Sequence, residues 1–163
     1  MSSEELTIHQ ATEHDVPLLL KFIRALADYE KLLHEVVATE ESIQESLFSE
    51  ESAAKALIVK ANGKPAAFAV YFHNFSTFTG RRGLYLEDLF VKPNLRRQAI
   101  GKKLLVHLAK IAVNRGCSRF EWAALDWNEP AIRFYEELGA QKMDEWRLFR
   151  MSGAALERLA ASD

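Results

Sequence analysis

Three groups of residues are of types that could do chemistry. The first is Glu87-Asp88, two carboxylates inside the otherwise apolar run Leu84-Tyr85-Leu86-Glu87-Asp88-Leu89-Phe90-Val91. An unpaired buried carboxylate is costly, so the pair marks a strand edge, a structural ion pair, or a place that binds a cation and relays its proton. The second is Arg96-Arg97-Gln98-Ala99-Ile100-Gly101, with Lys102 and Lys103 following. Here a strand feeds a loop that turns directly into a helix. The first N–H groups of such a helix lack intrahelical partners and, with the helix dipole, suit an anion such as a diphosphate. A solvated basic helix start has the same appearance. The third is Tyr135, on the apolar face of a short helical pattern. A phenol there is either a core residue or a proton donor.

The elements that must position these groups follow from periodicity and punctuation. Leu6 to Ala11 reads as a strand. Thr12 starts a helix with Asp15 in its first turn, and Val16, Leu19, Leu20, Ile23, Leu26 and Ala27 lie on one face. Thr39 caps a shorter helix carrying Ile43 and Leu47. Lys55 to Ala61 and Ala66 to His73 form a hairpin around Asn62-Gly63-Lys64-Pro65. Leu84 to Val91 is a strand closed by Lys92-Pro93-Asn94. A helix with Ile100, Leu104, Leu105, Leu108, Ile111 and Ala112 on its stripe follows and ends at Arg115-Gly116.

Phe120 to Leu125 is a further strand. Asn128 caps a fourth helix with Pro130 near its start, an inner face of Ala131, Phe134, Tyr135 and Leu138, and a stop at Gly139. Gln141 to Met151 reads as one or two final strands, and Ser152 to Ala161 as a last helix. Strand alternation places Glu87 and Asp88 on opposite faces. The expected architecture is a mixed α/β layer structure in one domain over residues 1–163.

Composition narrows the function classes. The chain has 163 residues, 48% hydrophobic and 27% charged, which suits one globular core. A net charge of -2 gives no general attraction to nucleic acid or anionic membrane. The single cysteine, Cys117, forbids an intramolecular disulfide and fits a reducing compartment; it stands beside no His-bearing motif, so a covalent thiol intermediate is not expected. No His or Cys spacing suggests a metal. Neither a leader segment nor an apolar run of membrane-spanning length is visible, and a cytoplasmic protein is expected. A P-loop is disfavoured because Gly101-Lys102 is followed by Lys103, and a dinucleotide fingerprint is absent because no glycine triplet follows the first strand.

Arg96 to Gly101 resembles the acyl-CoA loop of the GNAT superfamily of N-acetyltransferases, with Ala99 where glycine is usual. Asn128 to Ala140 resembles that superfamily's second signature. Leu84-Tyr85-Leu86-Glu87-Asp88, Trp127-Asn128-Glu129-Pro130 and Trp146-Arg147-Leu148-Phe149 are most similar to the diamine (spermidine/spermine) and thialysine acetyltransferases. The resemblance implies a GNAT fold: a mostly antiparallel sheet with splayed strands, flanked by helices. It implies transfer of acetyl from acetyl-CoA to a primary amine by direct attack in a ternary complex, without metal, in a homodimer. Glu87 would be the general base and Tyr135 the acid that protonates the leaving thiolate. Leu89, Phe90, Val91, Arg96, Arg97, Gln98, Ala99, Ile100, Gly101, Lys102, Asn128, Pro130, Ala131 and Tyr135 would hold the cofactor. Tyr29, Glu30, Glu87 and Asp88 would hold the amine, with Phe75 to Gly80 as a further wall. Other acceptors (an amino acid, an aminoglycoside-like amine or a protein N-terminus) and a non-catalytic acyl-CoA sensor remain as alternatives.

Overall fold

The computed structural model describes residues 5–163, apart from the side chains of Arg97 and Gln98. These residues fall into two compact units, one ending at Ala123 and the other spanning Ala124–Asp163. The first unit is built on a five-stranded sheet. Its order is β1 (Leu6–Gln10), β2 (Lys55–Ala61), β3 (Lys64–Ser76), β4 (Arg81–Val91) and β5 (Phe120–Trp122). The first three pairings are antiparallel and β4–β5 is parallel.

The turn between β2 and β3 is Asn62-Gly63, with φ of 50° and 77°. That is the geometry a two-residue hairpin requires, and it explains the residue choice. Lys64 and Pro65 already belong to the strand. Ala56 to Val59 and Ala66 to Val70 are buried without interruption, as central strands covered on both faces must be. β3 and β4 extend beyond the expected His73 and Leu84 through the pairs Asn74↔Gly83, Phe75↔Arg82 and Ser76↔Arg81. Apart from the buried Gly83 these residues are polar or exposed, and the stretch lacks alternation, so the pattern did not reveal it.

Two helices cover one face, α1 (Val16–Tyr29) and α2 (Glu40–Phe48). Thr39 caps α2 reciprocally: its Oγ1 accepts from Ser42 N–H at 3.1 Å, and Ser42 Oγ accepts from Thr39 N–H at 2.9 Å. The buried stripe of α1 is Val16, Leu19 and Phe22, so its centre is rotated from the expected one. Phe22 is the reason. It stacks on Phe68 at 5.1 Å and meets Phe90 edge-on at 6.4 Å. Helix α3 (Ile100–Asn114) packs on β3 and β4 through Ile100, Leu104 and Leu108, none of which joins the α1–α2 cluster. It ends in a Schellman turn, with Gly116 at φ 71° and Cys117 N–H on Ala112 C=O at 2.9 Å.

The second unit holds α4 (Glu129–Glu137) and α5 (Gly153–Ala160). Pro130 sits in the first turn of α4, as expected. Asn128 is at the N-cap position, but its side chain makes no capping bond. Gly139, at φ 101°, closes α4, with Ala140 N–H on Tyr135 C=O at 3.0 Å and Gly139 N–H on Glu136 C=O at 2.9 Å. The strands expected between Gln141 and Met151 are not formed. A strand is stable only against a partner, and among the described residues the second unit contains no other strand.

Gly83 shows how closely the β3–β4 end is fitted. A Cβ there would collide with Asn74 Oδ1 and lie 3.4 Å from the Arg119 carbonyl oxygen. Gly83→Ala is expected to lower stability by about 1–2 kcal/mol. Most of that loss returns in the Asn74→Ala background, which a double-mutant cycle of denaturant melts will read.

Candidate active site

Strand β4 carries a bulge where the chemistry is expected. Val70 faces Asp88 and Tyr71 faces Leu86, so Glu87 is an extra residue with no partner on β3. Facing residues share a side of the sheet. Asp88 therefore joins Phe90 on the α1 face, while Leu86 and Leu84 turn toward α3. Simple alternation put Glu87 and Asp88 on opposite faces; the bulge replaces that reading, leaving Glu87 exposed and Asp88 half-buried. The parallel pairing with β5 ends at the same place, with Leu86 opposite Trp122. Among the described residues no strand pairs with Glu87 to Val91 on that side. β5 is three residues long, ending before the expected Leu125.

Glu30 caps the C-terminus of α1, beside Tyr29. Burial pushes the Glu30 carboxyl above its ordinary range. Asp88 is pushed up to about 6, first by burial, then by the charges of Glu87 and Glu30. Three carboxylates thus share one electrostatic field, and among the described residues no cation is ion-paired with any of them. The same field raises the Tyr85 phenol, after burial, through Glu87 and Glu121.

The loop after β4 is a 3-10 turn (Pro93–Gln98) ending at Ala99, which has φ 56° and ψ 22°. This is the left-handed region that glycine fills without strain, and an alanine there costs roughly 1–2 kcal/mol. Ala99 so adopts the backbone shape a glycine would supply. Lys103 N–H bonds Ala99 C=O at 3.1 Å, and no side chain caps α3. The helix therefore offers its first N–H groups, at Ile100, Gly101 and Lys102, to an anion. A Cβ at Gly101 would meet nothing nearer than Val91 Cγ2 at 3.9 Å. Packing within the described residues does not demand that glycine.

Arg96 is engaged at the base of the loop. Its Nε–H donates to Val91 C=O at 3.0 Å, and its guanidinium lies 4.4 Å from the Tyr29 ring centroid and 5.3 Å from that of Phe90. The side chains of Arg97 and Gln98 lie outside the described residues.

Residues 22–140 match the acetyltransferase (GNAT) family. The chain belongs to that family, and it is an acetyltransferase. It is 39% identical to thialysine N-epsilon-acetyltransferase of Sus scrofa over 94% of this chain and 96% of that protein. It is 32% identical to L-ornithine N5-acetyltransferase of Arabidopsis thaliana over 93% of this chain and 86% of that protein. An integron cassette protein from the mobile metagenome of V. cholerae superimposes with a TM-score of 0.80 at 30% identity, covering 96% of this chain and 98% of that one. An aminoglycoside acetyltransferase from an uncultured soil sample shares the fold, with a TM-score of 0.75 at 20% identity, covering 90% of this chain and 95% of that one. The GNAT family uses acetyl-CoA as co-substrate.

Of the GNAT site residues read from sequence, the first unit brings together Tyr29, Glu30, Glu87, Asp88, Phe90, Val91 and Arg96. Asn128, Pro130, Ala131 and Tyr135 belong to the second unit, on α4, where Tyr135 is half-buried with its ring 5.6 Å from that of Phe134. The turn at Phe75 to Gly80, expected as an acceptor wall, adjoins Arg82. That is six residues from Asp88 and about 20 Å away along the strand. The sequence also showed no histidine near Cys117, yet Cys117 Sγ lies 3.8 Å from His73 Nδ1. That nitrogen is 3.1 Å from Gly83 C=O. A carbonyl only accepts, so Nδ1 carries the proton and cannot take one from the thiol. The contact arises because the Schellman turn swings Cys117 back onto β3.

Asp88 holds protons in the folded state that it releases in the unfolded one between about pH 4 and pH 6, so stability falls as pH rises through that window. Asp88→Asn is expected to melt at higher temperature than wild type at pH 8, with the gain shrinking below about pH 6 and vanishing below about pH 4. Thermal melts across pH will check this. Ala99→Gly removes the left-handed strain and is expected to add about 1 kcal/mol, or about 2–4 °C in Tm, measurable by calorimetry.

Proposed function

We propose that this protein transfers an acetyl group from acetyl-CoA to the terminal amine of a small cationic molecule, by direct attack in a ternary complex. The observation that carries the reading is the uncompensated set Glu30, Glu87 and Asp88, placed where β4 loses its β5 partner. Negative charge that no described cation is ion-paired with is what an ammonium substrate completes. The relatives named for thialysine and L-ornithine favour an amino acid with a second, terminal amine; diamines and polyamines such as spermidine carry the same reacting group.

Each residue then has a task. The carboxylates at Glu30 and Asp88 bind the ammonium. Glu87, exposed on the bulge, accepts its proton directly or through water, since an alkylammonium of reference pKa about 10.4 must be deprotonated before it attacks. The backbone of Leu89, Phe90 and Val91 grips the pantetheine arm and polarises the thioester carbonyl. The amides from Ala99 to Lys102 take the diphosphate, with Arg97 and Gln98 beside them, and Asn128, Pro130 and Ala131 contribute from α4. As the C–N bond forms and the C–S bond breaks, Tyr135 protonates the departing thiolate.

We take the working form to be a cytoplasmic homodimer, in which residues 1–163 act as one catalytic domain. The exposed apolar residues Leu148 and Phe149 support self-association. No described helix is long and apolar enough to cross a membrane.

The test is thiol release from acetyl-CoA with a panel of amines. Terminal-amino acids and diamines are expected to be acetylated. Tyr135→Phe is expected to lower kcat by about 100-fold or more with the KM for acetyl-CoA nearly unchanged. Unaltered turnover removes Tyr135 from the mechanism.

A further inference from the structure

A cavity of about 660 Å³ opens at the far end of the β3–β4 hairpin, beside the C-terminus of α3. Arg81, Arg82 and Arg115 line it together with Asn74 and Phe75, and no acidic side chain among the described residues does. None of the three arginines takes part in an ion pair among the described residues. The chain as a whole carries 23 acidic against 21 basic side chains, so unpaired positive charge gathered in one hollow is a local feature and not the average surface.

The fold brings the three together from two elements. Arg82 continues the side of β4 that carries Leu84 and Leu86, the side α3 covers, and so lies toward the end of that helix. Phe75 is its partner across the hairpin and shares that side. Arg115 is the C-cap of α3. The backbone beneath them is tied down. Ser118 N–H donates to Arg82 C=O at 3.0 Å, and Leu84 N–H donates to Arg119 C=O at 2.9 Å. The Thr79 and Ser118 hydroxyls meet at 2.6 Å. The loop after α3 thus grips Arg82-Gly83-Leu84 at both ends, which fixes the spacing between Arg82 and Arg115.

A hollow of this size suits a small molecule. Guanidinium groups match phosphate oxygens in pairs, and linked phosphates concentrate the charge that three arginines can answer. The C-terminus of α3 opposes an anion with about half a unit of negative charge, which three full positive charges outweigh. Phe75, 67% exposed, adds a ring face for a flat group. We propose that this cavity binds a small molecule with clustered phosphates, either a nucleoside polyphosphate or an inorganic polyphosphate. It is separate from the cofactor site. The amides assigned to the diphosphate of acetyl-CoA are at the start of α3, and the 15 residues of that helix put about 22 Å between its ends.

The test is calorimetric titration of inorganic triphosphate and of ATP, without divalent cations, into the whole chain saturated with coenzyme A. Wild type is expected to bind one equivalent of probe. Arg82→Gln and Arg115→Gln are each expected to raise the Kd about tenfold, the scale of one charge-assisted hydrogen bond. Arg24→Gln, which removes an exposed arginine of α1 outside the cavity, is expected to leave it unchanged. Thermal melts without probe report whether each variant folds, and Arg81→Gln gives a third reading should one of them fail. Phe75→Ala separates the two sources: a loss for ATP alone assigns a nucleoside phosphate, and no loss for either probe assigns an inorganic chain. No binding to the coenzyme A-saturated protein overturns the proposal, as does a loss in Arg24→Gln equal to that in the cavity variants. Binding seen only when coenzyme A is left out overturns it too, because the probes then occupy the cofactor's own diphosphate site.

Discussion

Strand β4 buries Leu84 and Leu86 on one side of the sheet and Phe90 on the other while carrying two adjacent carboxylates, and a strictly alternating strand cannot do this. Were the strand to alternate regularly through Glu87, Leu84, Leu86, Asp88 and Phe90 would share one face. The bulge at Glu87 changes the parity: Leu84 and Leu86 turn to α3, and Asp88 and Phe90 turn to α1. The bulge also bends the strand, and β5 ceases to follow it beyond Leu86. The placement of the acids and the face that Asp88 shares with Phe90 both follow from that one bulge.

The resulting cluster is unfavourable by itself. An Asp88 carboxyl pushed up to about 6 means the folded protein would be more stable above that pH without the charge. A cation paired with Glu30, Glu87 or Asp88 would relieve the repulsion, and among the described residues none is. The aromatic group behind the cluster offsets the strain. Phe22, Phe68 and Phe90 stack at the junction of α1 with β3 and β4, and they fix the helix whose last residues carry Tyr29 and Glu30. Packing thus supplies the rigidity that the acids consume.

Much of this was legible in the residues. The Asn62-Gly63 hairpin, the Thr39 cap, the Gly116 and Gly139 stops and the stripe of α3 are local signals, and local geometry obeyed them. What was not legible depended on pairing. A bulge exists only relative to a partner strand, so nothing in Leu86-Glu87-Asp88 by itself announces it. The polar end of the β3–β4 hairpin forms because two chains meet there, not because either has strand periodicity. Residues 141 to 151 carry strand-like composition, yet composition without a partner makes no ladder. The approach of Cys117 to His73 needs a helix end and a strand that lie far apart in sequence.

The loop after β4 shows how the two halves of the chemistry are tied together in the first unit. Ala99 adopts a left-handed backbone against its own preference, and a strained residue keeps its shape only when its surroundings insist on it. Arg96 is part of that insistence. It bonds the end of β4 through Val91 C=O and lies against both Phe90 and Tyr29. Tyr29 in turn precedes Glu30 at the end of α1. Through that one guanidinium the loop after β4 is tied both to the end of its own strand and to the last residue of α1, so a change in the path of the loop is felt at the helix end that carries Tyr29.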